Sequence, residues 1–367
     1  MILSVLLYSF VVFTSIQIIY YLVFSSFLFD DKKDKKKHLQ IPISVIVCAK
    51  NEAKNLKEFL PSILNQKYTN FEVVLINDAS SDATLEVMEA FAESHKNIKI
   101  VDVKNVEVFW GNKKYALTLG IKAAKNDHLL FTDADCKPVS KHWIYEMSQN
   151  FNTNKTIVLG YGKYKKQKSL VNLLVRFETL LTAIQYFSYA KMGTPYMGVG
   201  RNLAYHRANF FRVNGFINHM HIKSGDDDLF IQDAANKENT TISLSNHSFT
   251  KSIPPKSFTA WFRQKRRHIS TANHYKFKHK FFLAFFFISK LFFYLLATIL
   301  FFLYPWEIIL PIVLTYYLVQ FIVVGASAKK LKEPIIGYLV PFLEIGLLLF
   351  HVSIFITNLS SKPTHWK

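Results

Sequence analysis

The chain has 367 residues, 50% of them hydrophobic, a formal charge of +19 and two cysteines. That is long enough for a full catalytic domain plus a large apolar part, and Cys48 and Cys136 have no metal-ligand spacing around them, so both read as packing residues. Much of the excess Lys and Arg flanks apolar runs, where attraction to membrane lipids accounts for it, and no nucleic-acid partner is expected.

Residues 2–29 carry no charge and exceed the roughly 20 residues that a membrane helix needs. No small-residue cleavage site follows, so a retained anchor is expected rather than a signal peptide. DDKKDKKKH comes next, a basic linker over 30–41, and lysine-rich flanks stay on the cytoplasmic side. Three more apolar stretches, Phe281–Tyr304, Ile308–Val324 and Ile335–Leu359, make up a membrane region over 281–360 before a short tail, 361–367. Lys329, Lys330 and Lys332 then fall on the same side as the linker. These features predict an integral inner or plasma membrane protein of about four spans, with its N-terminus outside and a cytoplasmic domain over 42–280.

Within that domain short β-rich runs alternate with helical patterns, which predicts an α/β fold: a mostly parallel, Rossmann-like sheet with flanking helices. ISVIVC begins it. The helical pattern NEAKNLKEFLPSILNQ repeats apolar residues at Leu56, Leu60, Ile63 and Leu64. FEVVLI, a helix through LEVMEAFAESH, and NIKIVDV follow; a helix over Lys113–Lys125, with Asn112 placed to cap it, leads into HLLFT. Farther on, the helical spacing of Leu173, Leu174, Phe177, Leu180, Leu181 and Ile184 predicts a core or interfacial helix.

Acidic and amide residues cluster after three of these strands: Asn51 and Glu52, Asp78 and Asp82, Asp133 and Asp135. In a parallel sheet those positions share the carboxyl edge, where open α/β folds bind ligands. Taken singly, NDASSD can be a capped turn and Asn51–Glu52 a helix start. The pair in FTDADCKP is harder to explain structurally, because residues i and i+2 of an extended backbone face one side and two carboxylates there repel unless a cation sits between them. Oxygen ligands point to Mg2+ or Mn2+, on Asp135 and on Asp133 directly or through water, and so to a diphosphate completing the coordination.

Together these residues resemble a membrane-bound family 2 inverting glycosyltransferase over roughly residues 42–275. SVIVCAKNEAKNL resembles its opening strand and N-E turn, VLINDASSD its nucleoside-binding turn, GNKKYALTLGIKAA the lysine-bearing helix before D-x-D, and GVGRNLAYHR the floor of the acceptor site. SGDDDLF resembles the motif carrying the catalytic base, and FRQKRRH resembles Q-x-x-R-W, with His268 where tryptophan is usual. The resemblance implies that Asn51, Glu52, Asp78, Lys114 (with Lys113 beside it as the second candidate), Asp133, Gln264 and Arg267 bind the donor, a nucleotide sugar and foremost a UDP-sugar. It also implies that Asp227 is the base, with Asp226 beside it raising its proton affinity; the spacing leaves Asp226 open for the same role. Lys265 and Arg266 read as juxtamembrane anchors facing lipid.

The acceptor implied is a lipid or a glycan. Processive polysaccharide synthesis is the alternative, and a bundle this small would then need a homo-oligomer or a partner subunit to form a channel. A catalytically silent membrane scaffold would not need to keep the metal pair, the acidic triplet and Arg267 together.

Overall fold

The central strands read as near-continuous aliphatic runs because both of their faces are covered. In the computed structural model, which describes residues 1–29, 40–104, 113–222 and 224–361, helix α1 (Ile2–Phe24) precedes β1 (Ile43–Ala49), α2 (Ala53–Leu64), β2 (Phe71–Asp78), α3 (Thr84–Ser94) and β3 (Ile98–Val103). Then come α4 (Lys113–Ala123), β4 (His128–Asp133), β5 (Cys136–Pro138), α5 (Trp143–Ser148), β6 (Ile157–Leu159), β7 (Gly162–Tyr164) and α6 (Leu170–Lys191). β8 (Leu203–His206), α7 (Arg207–Arg212), α8 (Asp228–Ala234), β9 (Thr240–Ile242), β10 (Thr250–Ser252) and α9 (Phe258–Thr271) complete the α/β part. The chain ends in α10 (Phe277–Leu303), α11 (Trp306–Lys330), α12 (Pro334–Tyr338) and α13 (Val340–Ser360). Most of the linker, the tail from 362 and Asn112 lie outside the described residues.

Among the described residues a seven-stranded sheet runs β3-β2-β1-β4-β8-β6-β9, and a small sheet runs β5-β10-β7. β1 pairs in parallel with β2 and with β4, while β8 is antiparallel to both β4 and β6. The sheet is therefore mostly parallel, as expected. Alternation along β1 and β2 divides the core: Val45, Val47, Val73 and Leu75 belong to the core on one side of the sheet, Ile46, Val74 and Ile76 to that on the other. On the second side Gly120 of α4 lies so close to Ile76 that a Cβ would fall 2.1 Å from its Cδ1. This close seating fixes the height of α4 above the sheet, and the two lysines of its first turn with it.

Five helices among the described residues are long and apolar enough to cross a membrane, consistent with a multi-pass membrane protein: α1, α6, α10, α11 and α13. α6 is the exception, since 67% of its most apolar window is buried inside the protein, against 17–39% for the other four. It packs on β7 and β9 on one side and on α1, α11 and α13 on another, so one continuous core joins the sheet to the helical bundle. The last apolar stretch is not one helix: it breaks at Leu339, and Pro341 then occupies the first turn of α13, where a missing N–H costs nothing.

All four helices of the bundle converge on Glu344, which is 1% exposed. Tyr21 of α1 donates to its Oε1 at 2.7 Å, and Tyr294 of α10 and Tyr316 of α11 donate to its Oε2 at 2.7 Å each. The Lys290 ammonium completes the set. An ion pair so placed is stable only because its remaining lone pairs are met by hydroxyls. Replacing Glu344 alone with Leu leaves Lys290 buried without a counter-charge and should destabilise the bundle by about 3–5 kcal/mol, whereas the double change Lys290→Met, Glu344→Leu should cost much less. Thermal unfolding in detergent checks the order; a harmless Glu344→Leu would contradict it.

Candidate active site

The turns after β1 and β2 are built against each other. Asn51 adopts a left-handed backbone (φ 56°), and its side-chain oxygen accepts from the Ser81 N–H at 2.8 Å while its own N–H donates to Ser80 Oγ at 3.0 Å. Asp82 accepts from the N–H groups of Ala53 and Thr84, and the Glu52 N–H donates to Thr84 Oγ1. Asn51 and Asp82 thus shape this rim. Asp78 is buried at the end of β2, with the Lys50 ammonium 4.0 Å away. Burial raises its proton affinity, against the pull of Lys50 and Lys113.

β4 ends at Asp133, which sits beside Cys48 of β1 in the sheet register. The Lys113 ammonium lies 3.0 Å from an Asp133 oxygen and 2.9 Å from an Asp226 oxygen, so one lysine joins the strand end to the acidic triplet. Burial alone would lower the Lys113 proton affinity, but Asp133 and Asp226 hold it well above the usual range. Asp135 lies between β4 and β5; burial, then the charge of Asp133, push its carboxyl up to about 6. Its Oδ1 accepts from the Cys136 thiol at 3.3 Å. Asp133, Asp135 and Cys136 offer ligand atoms all within 4.8 Å of one another.

The three aspartates 226–228 divide their work. Gly225, at φ 94°, takes a conformation that side chains disfavour and throws the chain into α8. Asp226 binds Lys113, which holds its carboxyl below the usual range although burial acts the other way. Asp227 is the N-cap residue of α8: its Oδ1 accepts from the Asp228 N–H at 2.8 Å and its Oδ2 from the Gly200 N–H at 2.7 Å. Burial, then the charges of Asp226 and Asp228, push Asp227 up to about 7. Asp228 turns away and accepts from Thr271 Oγ1 and the Tyr275 hydroxyl at 2.5 and 2.7 Å, which ties α8 to the end of α9. Lys113, Asp133, Gly200, Asp226 and Asp227 line a single cavity together with Tyr205.

The sequence profile described as glycosyl transferase family 2 matches residues 44–213, and that described as glycosyl transferase family group 2 matches residues 133–328, more than half of the chain. The chain belongs to this glycosyltransferase family. It is 30% identical over 169 residues to a poly-beta-1,6-N-acetyl-D-glucosamine synthase of Staphylococcus epidermidis, an alignment covering 42% of this chain and 40% of that one. To an uncharacterized glycosyltransferase of Haemophilus influenzae it is 45% identical over 124 residues, 33% of this chain and 36% of that one. The chain thus spans 40% or less of these two curated relatives. The solved mannosyltransferase PcManGT of Pyrobaculum calidifontis, in complex with GDP-Man and Mn2+, superposes with a TM-score of 0.60 at 17% identity, covering 90% of this chain and 99% of that one. That likeness establishes the glycosyltransferase fold.

Several residues of this glycosyltransferase stand differently from what its sequence suggests. In the first turn of α4 Lys113, not Lys114, bridges the carboxylates: the Lys114 ammonium donates to the carbonyls of His219 and Ile222 at 2.7 and 3.0 Å. Lys265 pairs with Glu178 of α6, and Arg266 donates to Asn358 and Ser361 at the end of α13, so both tie helices together rather than facing lipid. Gln264 reaches the Tyr164 hydroxyl at 3.5 Å, and Arg267 lies within electrostatic reach of Asp226. Arg201 was not singled out by sequence reasoning. It stacks 4.3 Å over the Tyr164 ring, donates to Ser252 at 3.3 Å and faces the charges of Asp135 and Asp133. Its place in GVGRN was the available signal. Lys114→Met removes the buried donor to two carbonyls and should lower stability by about 1–3 kcal/mol while opening residues 217–222 to protease. Lys113→Met should leave that segment protected, and limited proteolysis with a thermal melt distinguishes the two.

Proposed function

We propose that the chain is a membrane-bound inverting glycosyltransferase that moves a sugar from a nucleoside diphosphate donor to a lipid or glycan acceptor at the cytoplasmic face of an inner or plasma membrane. One observation carries this reading: the Asp133–Lys113–Asp226 chain sets the carboxyl end of β4 and the acidic triplet on one cavity. The leaving diphosphate and the attacking hydroxyl then have separate carboxylates within one site.

Asp133 and Asp135 fit a divalent cation. The Cys136 thiol, whose proton affinity is held well above the usual range by burial and the two carboxylates, serves Asp135 as a neutral donor, which leaves an all-oxygen pair suited to Mg2+ or Mn2+. Such an ion would neutralise charge developing on the leaving diphosphate. Lys113, Arg201 and Arg267 supply fixed positive charge around it, Asp78 binds the nucleoside at a rim shaped by Asn51 and Glu52, and Gln264 orients Tyr164 beside Arg201.

Asp227 takes the acceptor proton. Asp226 is committed to Lys113 and holds protons weakly, whereas Asp227 is poised near neutrality and its carboxyl is held by backbone donors that fix its orientation. The hydroxyl so activated attacks the anomeric carbon opposite the leaving group, and a single displacement inverts the configuration. The Staphylococcus relative makes a polymer of N-acetylglucosamine by its name, so UDP-N-acetylglucosamine is the first donor to assay. The same name favours a second reading, a processive synthase. Glu344 and its tyrosines fill the interior of the bundle, however, which favours single transfer or short extension by one protomer.

Membranes bearing the protein, incubated with a panel of labelled nucleotide sugars, should give a labelled lipid or glycan from one of them. In that assay Asp227→Asn should lower the rate by roughly 100-fold or more with donor affinity within a few-fold, because the base acts in the transition state. The base must be ionised, so the wild-type rate should fall toward tenfold per unit as pH drops below about 7 and level off above it. An Asp226→Asn enzyme that is dead beside an active Asp227→Asn enzyme would move the base by one residue.

A further inference from the structure

The small sheet places three lysines in one row. Lys163 of β7 pairs with Lys251 of β10, and Lys251 pairs with Lys137 of β5, so the three side chains stand side by side on one face. Their neighbours in the same strands, Tyr164, Ser252 and Cys136, form the next row, on the opposite face: Tyr164 lies under Arg201, and Cys136 meets Ser252 beside Asp135. The lysine row is therefore turned away from the catalytic cavity. Like charges directly opposite in a sheet repel, and nothing in the transfer reaction uses them.

At its Lys163 end the row meets more positive charge. Arg176 of α6 and Lys332, just past the end of α11, both act on Lys163, together with one carboxylate, Glu333. Arg176 is 5% exposed and its Nη2 is given to Glu333, but among the described residues its Nε and Nη1 have no hydrogen-bond partner. Guanidinium donors left idle in a buried place are costly. Lys332 holds a left-handed backbone (φ 61°), which turns the chain so that the Glu333 N–H reaches back to the Ala328 carbonyl and α12 begins at the next residue. One carboxylate thus stands among Arg176, Lys163, Lys251 and Lys332.

We propose that this face binds the phosphate of an anionic phospholipid headgroup. The occupant is a lipid because of where the cations gather: Lys332 follows directly on α11, a helix long and apolar enough to span a bilayer, whose last turn carries Lys329 and Lys330. Exposed Lys165, Lys166 and Lys168 extend the same surface between β7 and α6. A phosphodiester at the bilayer surface relieves the repulsion along the row and supplies acceptors for the idle Arg176 donors. The bound lipid would hold the small sheet, and with it Tyr164 and Cys136 on its other face, at a set height above the membrane. The inference does not depend on the donor or the base assigned above.

The full chain is placed in nanodiscs of phosphatidylcholine, with or without phosphatidylglycerol, and its thermal unfolding followed. Phosphatidylglycerol should raise the midpoint by about 2–4 °C. Lys163→Gln with Lys251→Gln should abolish more than half of that rise, yet melt no lower than the parent in phosphatidylcholine alone, because like charges have been removed. Lys54→Gln with Lys57→Gln, an equal charge change on exposed residues of α2, should keep the full rise. Equal losses in both double variants, or none in either, overturn the proposal. If inorganic phosphate in phosphatidylcholine discs reproduces the rise, a soluble anion rather than a lipid is the ligand and the proposal falls. Should the double variant not fold, Lys251→Gln alone carries the same test, expecting a partial loss against an unchanged parent.

Discussion

Lys113 holds two carboxylates that belong to separate parts of the fold, Asp133 at the end of β4 and Asp226 before α8, at 3.0 and 2.9 Å. In a half-buried cavity those two carboxylates would repel each other. The ammonium between them offsets that repulsion and fixes the separation of the two halves of the site. Its own position is set from below, where the glycine of α4 lets the helix sit directly on Ile76. A packing contact on the sheet thus determines where charge stands in the cavity.

The triplet shows how three adjacent acids can coexist in a first helical turn. Each is neutralised differently: Asp226 by a lysine, Asp227 by two backbone N–H groups and a raised proton affinity, Asp228 by two hydroxyls from α9 and the segment after it. The last contact carries the site toward the helical bundle. α9 stacks Trp261 on Phe350 of α13 with ring centroids 3.7 Å apart, and α13 carries Glu344, on which the bundle converges. The candidate cavity and the long apolar helices are therefore one mechanical unit, joined by α6 and α9 and without a free linker among these contacts.

The sheet was legible in the sequence because burial on both faces forces continuous aliphatic runs, and the acid clusters because the carboxyl edge of a parallel sheet is a fixed place. Asp133 and Asp135 could be read as a pair from spacing alone. Lys113 and Lys114 could not be told apart, since neighbours on a helix point about 100° apart and the roll of α4 depends on its seat over Ile76. α6 was legible as a core or interfacial helix from the spacing of its apolar residues, and it packs on both the sheet and the helical bundle. The break at Leu339 was hidden because the run from 335 to 359 stays apolar on both sides of it. Arg201, Lys265 and Arg266 have their places fixed by partners distant in sequence, such as Ser252, Glu178 and Asn358, which no local pattern reports.

The claim on which this account rests is that the carboxylates at the end of β4 hold a metal-bound diphosphate, with proton transfer left to another acid. Equilibrium binding of UDP and GDP to the purified protein, with Mn2+ or Mg2+ and again in excess chelator, addresses it without knowledge of sugar or acceptor. The account predicts that one of the two nucleotides binds only with the cation, that Asp135→Ala abolishes this binding, and that Asp227→Asn retains it. Equal affinity in chelator, or unchanged binding by Asp135→Ala, would contradict it.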